Sequence, residues 1–384
     1  MNASGLSAMM AVTVNGSAPG TGRPEETETL DMLGVVDTKC LAYDFFIETV
    51  LMGALCLLGF VGNTLSMLCL WRDRSKSATP FLLISLEVAD TLFLITVLVV
   101  RVLPSAQTYT GQLGGLVPAF EYFGRFGWPC ALTAETATIY LTILVTLNRY
   151  VAVCRPYETS KFCSLADARR HVVIVCAFAV LYNLPRFFEY RSALIDDPRR
   201  NATIRVVVLS SLGDDRTYQI VYGNVLYCLV FFLGPFVALV FLNSELIAAL
   251  RETKRKRMKV LNMDSSSEDD ITLMLIVVVV VFVVCQTPAS TTQVLLSFLS
   301  RKMRGCPTTF FYYERISDLL IVVNSSINFI IYCFCSRRFR QILSDLMCRR
   351  KEPPLETTDR SEMSCRQYRP NRKDTNGVTR LSQV

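Results

Sequence analysis

Apolar residues gather into seven long stretches, 45–70, 81–103, 120–153, 172–188, 220–250, 271–299 and 310–335, with short polar segments between them. A helix crosses the hydrocarbon of a bilayer with about 20 mostly apolar residues, so each stretch is a candidate span. The sixth contains Leu275-Ile276-Val277-Val278-Val279-Val280-Val281-Phe282, a run that would aggregate in water. In lipid the backbone must satisfy its own hydrogen bonds, which leaves a helix as the reading of that run. The pattern therefore predicts an all-α membrane protein, a seven-helix bundle. The fourth stretch is the weakest, being short and flanked by Arg169, Arg170 and His171.

Composition agrees. Apolar residues make up 51% of the 384, and mean hydropathy is +0.36, high for a soluble chain of this size. Charge predicts the sidedness. Arg72, Arg74 and Lys76 follow the first stretch. Arg155, Lys161, Arg169 and Arg170 follow the third, and Arg251, Lys254, Arg255, Lys256, Arg257 and Lys259 follow the fifth. By the positive-inside rule these loops and the C-terminal tail are cytoplasmic; Arg301, Lys302 and Arg304 go against the pattern but are outvoted. The sequons at Asn2, Asn15 and Asn201 then fall outside, as glycosylation requires. Residues 1–40 lack the cationic start and apolar core of a cleavable signal peptide. The chain is expected to divide into an outer segment 1–42, a bundle 43–335, a short amphipathic eighth helix 336–348 and a disordered tail 349–384.

Polar residues inside apolar spans mark function, because an ionisable group is expensive in hydrocarbon. Asp90, Asn63, Thr138, Asn324 and Asn328 would share one level of an antiparallel bundle. Such an oxygen cluster suits a hard cation, or glues helices together without one. In the third stretch Glu135, Thr138, Thr142 and Arg149 lie on one helical face, spanning about 21 Å. Asp318, Ser325 and Tyr332 repeat the design in the seventh. Glu135 and Asp318 would converge on a cavity open to the outside. They would meet a cationic ligand group or neutralise Arg101 or Arg315; both readings stay open. Arg149-Tyr150 at a membrane edge, followed by Cys154-Arg155-Pro156, reads as a switch element. Enzymes are disfavoured, since the sole histidine, His171, sits at a boundary and no nucleophile–base set or metal centre is visible. Transporters are disfavoured by the lack of inverted repeats. No nucleic-acid partner is expected.

Several motifs occur in the order of the rhodopsin-like (class A) G-protein-coupled receptors, which the chain resembles over residues 43–348. They are Gly62-Asn63, Leu86-Glu87-Val88-Ala89-Asp90, Asn148-Arg149-Tyr150, Pro235, Cys285-Gln286-Thr287-Pro288 and Asn328-Phe329-Ile330-Ile331-Tyr332. Ser336-Arg337-Arg338-Phe339-Arg340 then opens the eighth helix. Within that family, Leu181-Tyr182-Asn183-Leu184-Pro185-Arg186-Phe187-Phe188-Glu189, Tyr140-Leu141-Thr142 and Asn324-Ser325-Ser326-Ile327-Asn328-Phe329 are similar to invertebrate FMRFamide-type receptors. The resemblance implies a plasma-membrane receptor for an extracellular neuropeptide ending in Arg-Phe-amide. The alternative is a class A receptor for another peptide or small ligand, with high constitutive activity. Glu135, Asp318, Arg101, Ala131, Gln286, Gln293 and Arg315 are its expected ligand residues, with Tyr122, Phe126, Phe188, Tyr190, Phe310 and Tyr313 for the phenylalanine. Ala131 stands where amine receptors carry aspartate, and Val322 where opsins carry the retinal lysine; neither ligand is expected. No cofactor is implied beyond an allosteric sodium ion at the Asp90 cluster. Partners implied are a heterotrimeric G protein, a receptor kinase and arrestin acting on the tail, a PDZ domain at Val384, and anionic lipid at the basic loop.

Departures from the family pattern carry their own expectations. Gly124 stands where the usual disulfide cysteine of the third helix belongs, and the loop 191–219 has no cysteine. Cys40 and Cys306 remain as an outer pair and are expected to form a bridge, the alternative being two free thiols. Cys348 is a candidate palmitoylation site. Asn148 replaces the acid that holds the neighbouring arginine, which leaves Glu268 as a substitute partner for Arg149 or as a helix-dipole residue. Gln286 replaces the tryptophan of the sixth helix. Phe329 replaces the proline of the seventh, so that helix is expected to be straighter there.

Overall fold

The computed structural model describes residues 12–14, 38–72, 78–112, 123–197, 202–261, 266–299 and 303–347. Asn2, Asn15, Asn201, Tyr122, Cys348 and the tail to Val384 lie outside them, as does the side chain of Glu268. The described residues up to Ser344 form one compact unit, and of 345–384 only 345–347 are described.

Helices α1 (Thr38–Arg72), α2 (Ala78–Thr110), α3 (Gly124–Cys154), α4 (Leu165–Phe188) and α5 (Arg216–Glu252) are long and apolar enough to cross a membrane. So is the 277–296 portion of α6 (Ser266–Phe298). The seventh span is two helices, α7 (Thr309–Ser326) and α8 (Asn328–Cys335), bent by 48°. A further helix, α9 (Arg337–Met347), follows. The helices close a ring in which α1 packs on α2, α2 on α3, α3 on α5, α5 on α6, α6 on α7 and α7 back on α1, with α4 outside against α3.

Apolar knobs of α1, α2, α3 and α7 meet at Met52, Phe93, Leu94, Ala131 and Val322. A second cluster, Leu132, Ile139, Phe231, Leu239 and Phe282, joins α3, α5 and α6. Many large apolar side chains point outward, among them Leu57, Leu58, Val61, Leu181 and Phe241. Such a surface is compatible with lipid and not with water. The membrane reading of the seven stretches stands.

The bend at Ile327 corrects the expectation of a straighter seventh helix without its proline. Three polar groups deform the turn instead. Ser326 donates back to the Val322 carbonyl at 2.7 Å, Asn63 Nδ2 donates to the Ser325 carbonyl at 3.4 Å, and Asn328 Nδ2 donates to Asp90 Oδ2 at 2.7 Å. The first two take backbone carbonyls of the turn, where such bonds compete with the ladder and bend helices; the third holds the start of α8 to α2. The bend brings α8 against α1, where a Cβ on Gly62 would come within 2.9 Å of the Phe329 Cβ. Gly62 is therefore required by close approach.

An addition to the helices is a small sheet in strand order β1-β3-β2. β2 (Tyr190–Asp197) and β3 (Ala202–Leu209) form an antiparallel hairpin pairing Tyr190 with Leu209 and Asp197 with Ala202; β1 (Val12–Val14) adds to the other edge of β3. Ile204, Val206, Val207 and Val208 are β-branched and favour a strand, a signal in the loop sequence that the search for cysteines passed over.

Candidate functional site

At the end of the bundle expected to face outward, α1 and α7 are tied by the Cys40–Cys306 disulfide, with Cα atoms 6.2 Å apart. Tyr43 packs edge-on against Tyr312 beside it, ring centroids 4.7 Å apart. Beneath this clamp lies a buried ionic network. Glu48 is fully buried; its Oε1 accepts from Arg101 Nη1 at 3.0 Å and lies 3.2 Å from Arg315 Nε as an ion pair. Arg315 also reaches Asp44 Oδ1 at 2.8 Å and Glu314 Oε2 at 3.5 Å, and its guanidinium stacks 4.8 Å over Phe311. Arg101 Nη2 pairs with Asp318. Of the two open readings, the internal ion pair is the one observed for Asp318. The network holds two more acids than arginines. Sequence reading missed Asp44, Glu48 and Glu314, although Glu48 interrupts an apolar span and was visible as an intramembrane acid.

Two of these helices carry wide π-helical turns at the network's level, 45–52 in α1 and 98–102 in α2. Glu48 and Arg101 lie within them. Such turns shift the residues beyond them around the axis and recur at functional sites; the 3.6-residue period used on the sequence cannot show them.

Below the network opens a cavity of about 350 Å³ including its mouth, lined by Met52, Phe93, Arg101, Trp128, Glu135 and Asp318, with Ala131 and Val322 on its walls. Glu135 and Asp318 thus share one cavity. The Arg101 guanidinium lies 5.7 Å over the Trp128 ring. Glu135 has a different partner from Asp318: Gln286 Nε2 of α6 donates to it at 3.2 Å. Gln286 is fully buried, so a polar tie between α3 and α6 occupies the place of the absent tryptophan. Gln293 and the expected aromatics are elsewhere. Gln293 donates to the Gly223 carbonyl at 2.8 Å, Phe126 and Phe188 are exposed, and Tyr313 donates to the Pro288 carbonyl at 3.3 Å. Tyr190 and Phe310 are buried outside the cavity lining.

Deeper, Asp90 is fully buried with Asn328 donating to it and Thr138 and Ser325 beside it. Asp90 Oδ1, Asn63 Oδ1 and Thr138 Oγ1 have no hydrogen-bond partner among the described residues. Orphaned buried oxygens around one carboxylate fit a hard cation. Asn324 is only half-buried, and the neighbouring Ser325 occupies the inner position.

At the opposite end Arg149 is exposed and Tyr150 half-buried, whereas Asn148 is buried. Thr79 donates to Asn148 Oδ1 at 3.3 Å, fixing α3 to α2 where an acid would have held the arginine. Tyr332 is buried against Phe339 of α9, ring centroids 5.6 Å apart. The Arg149–Glu268 contact falls outside the described side chains.

Known proteins carry the same order of motifs. The model of the seven-transmembrane receptors of the rhodopsin family matches residues 62–332. The chain belongs to the rhodopsin family of seven-transmembrane receptors. An FMRFamide receptor of Drosophila melanogaster is 29% identical over 311 residues, covering 80% of this chain and 55% of the relative. The FMRFamide peptide receptor frpr-18 of Caenorhabditis elegans is 31% identical over 293 residues, 75% of this chain and 66% of that protein. A thyrotropin-releasing hormone receptor of Mus musculus is 26% identical over 340 residues, covering 82% of each chain. The chain thus spans less than two thirds of the two FMRFamide-receptor relatives. A rhodopsin-family chain is a multi-pass membrane protein of a receptor family, not of an enzyme family.

Proposed function

We propose that this chain is a plasma-membrane receptor, its N-terminus outside, for a neuropeptide ending in Arg-Phe-amide, and that it activates heterotrimeric G proteins. One observation carries the reading: Glu135 and Asp318 face the same cavity beneath a network with surplus acid. An arriving guanidinium would take Asp318 from Arg101 or meet Glu135, in the paired geometry that arginine and carboxylate favour. The apolar wall formed by Met52, Phe93 and Trp128 offers the phenyl ring a place the exposed aromatics do not. The similarity to FMRFamide receptors supports the same ligand class.

Ligand contact at Glu135 would loosen its bond to Gln286, and α6 would then swing outward about Pro288, a shift between two populated arrangements. Arg149, Tyr150 and Tyr332 would meet the G protein in the crevice this opens. Asp90, Asn63, Thr138, Asn328 and the Asn324-Ser325 turn would hold a sodium ion in the resting arrangement, its positive charge balancing the ionised Asp90 carboxyl. Kinase, arrestin and PDZ contacts belong to the tail.

The test is second-messenger output in cells expressing the chain, challenged with amidated peptides. Response to Arg-Phe-amide peptides at nanomolar concentration, lost when the amide is removed and weakened at least tenfold by Glu135→Gln or Asp318→Asn, is expected. Silence to that set, with response to peptides lacking arginine, would overturn the ligand class.

A further inference from the structure

A third fully buried acid, besides Glu48 and Asp90, belongs to neither the outer ionic network nor the ligand cavity. Glu87 precedes Asp90 by one turn of α2. It is as buried as Asp90, and neither carboxyl oxygen makes a full hydrogen bond with a described residue. The groups acting on it are the Asp90 carboxyl and the Tyr332 hydroxyl; no cationic side chain is among them. Tyr332 in turn interacts with Glu87 and, more weakly, with Asp90.

The placement follows from the backbone. α2 and α8 run antiparallel. Asn328 bonds Asp90 at 2.7 Å, so a step of three residues back along α2 and four forward along α8 brings Glu87 opposite Tyr332. The two helices are bonded at one turn by Asp90 and Asn328, and at the next Glu87 and Tyr332 face one another. The bend at Ile327 sets α8 at the angle that makes both possible. An acid so deep in an apolar span is costly unless a donor faces it.

We propose that Glu87 is a positioning residue that holds the Tyr332 hydroxyl in the resting arrangement. This rests on the reading of Tyr332 as part of the G-protein switch. For Tyr332 to reach the crevice it must leave Glu87, which takes the facing hydroxyl away from a buried carboxyl. Glu87 therefore opposes activation and lowers the output of the unliganded receptor. Removing the acceptor or the hydroxyl should raise the ratio of outward to resting α6 roughly tenfold.

The experiment places a fluorophore at the cytoplasmic end of α6 in the full chain, reconstituted in lipid nanodiscs, and reads the outward fraction without ligand. Glu87→Leu and Tyr332→Phe should each raise it roughly tenfold, and the double variant no further. Glu87→Gln keeps an accepting oxygen and should stay within about twofold of the unaltered receptor. An unchanged fraction in Glu87→Leu, or a double variant whose effect is the product of the single ones, overturns the proposal. If Glu87→Leu fails to fold, Tyr332→Phe decides alone, since it keeps the ring and deletes only the donor; no change there overturns it. Movement on adding a panel of heterotrimeric G proteins, with none from the Glu87 and Tyr332 variants, overturns the latch while leaving the switch reading intact. No movement even with G protein overturns both.

Discussion

Arg315→Ala tests the ionic network most directly. Arg315 is 7% exposed and meets carboxyl oxygens of Asp44, Glu48 and Glu314 at 2.8, 3.2 and 3.5 Å. Its removal leaves four acids facing Arg101 alone in a buried site. Breaking a buried pair by deleting one partner costs about 3–5 kcal/mol, mostly because the remaining charge is uncompensated. For a chain of this size that corresponds to a fall in melting temperature of about 4–6 °C. The buried thiols of Cys56, Cys69, Cys285 and Cys335 provide the assay, since a thiol-reactive dye reports their exposure on heating in detergent. Arg315→Lys should recover about half the loss, because an ammonium is a point charge that reaches one carboxylate rather than a fork that reaches three. Adding Glu48→Gln to Arg315→Ala should raise the melting temperature above that of Arg315→Ala, since it deletes one uncompensated acid. A melting temperature for Arg315→Ala within about 2 °C of the unaltered protein, or a double variant less stable than the single one, refutes the reasoning.

Serine at both Cys40 and Cys306 opens a bridge across a sequence separation of 266 residues; chain entropy sets its loss at no more than about 6 kcal/mol, and a reductant should lower the melting temperature of the unaltered protein but not of the variant. Gln286→Leu deletes the donor to Glu135 and weakens the α3–α6 tie by about 1.5–3 kcal/mol; basal signalling per surface receptor should rise, and unchanged output would count against the tie. Asp90→Asn should abolish any stabilisation by sodium chloride relative to choline chloride in the same melting assay, and Asn328→Ala should weaken it; an equal sodium effect in both variants and the unaltered chain would rule the ion out.

The spans were legible because lipid imposes one rule on length and polarity, and every stretch had to satisfy it. Glu135 and Asp318 were legible through helical spacing from Arg149 and Tyr332. What the spacing could not give was partnership. Asp318 faces Arg101 and Glu135 faces Gln286, although both acids line the same cavity. Arg101, the partner of Asp318, lies in a π-helical turn, as does Glu48, and no apolar period reports such turns. Phe329 misled for a related reason. A proline is one cause of a bend, but Asn63, Ser326 and Asn328 perturb the same turn with side-chain hydrogen bonds, and those are set by neighbouring helices rather than by local sequence.

The distribution of ties says which helices can move. α1, α2 and α7 are joined at the outer end by a disulfide, an aromatic contact and a network of charges. Among the described residues the bonds across to α6 are single and few by comparison: Gln286 to Glu135, Thr292 to Ser317 at 3.1 Å, Gln293 to the Gly223 carbonyl, and Tyr313 to the Pro288 carbonyl. A ligand that disturbs Glu135 therefore acts on a weak seam, whereas one that disturbs only Asp318 works against the clamped side of the bundle. On this division, Glu135→Gln should reduce maximal response more than Asp318→Asn does, with Asp318→Asn acting chiefly on potency. Concentration–response curves for both variants on one peptide separate the two effects, and equal maxima with equal loss of potency would contradict the division of the bundle into a clamped wall and a moving one.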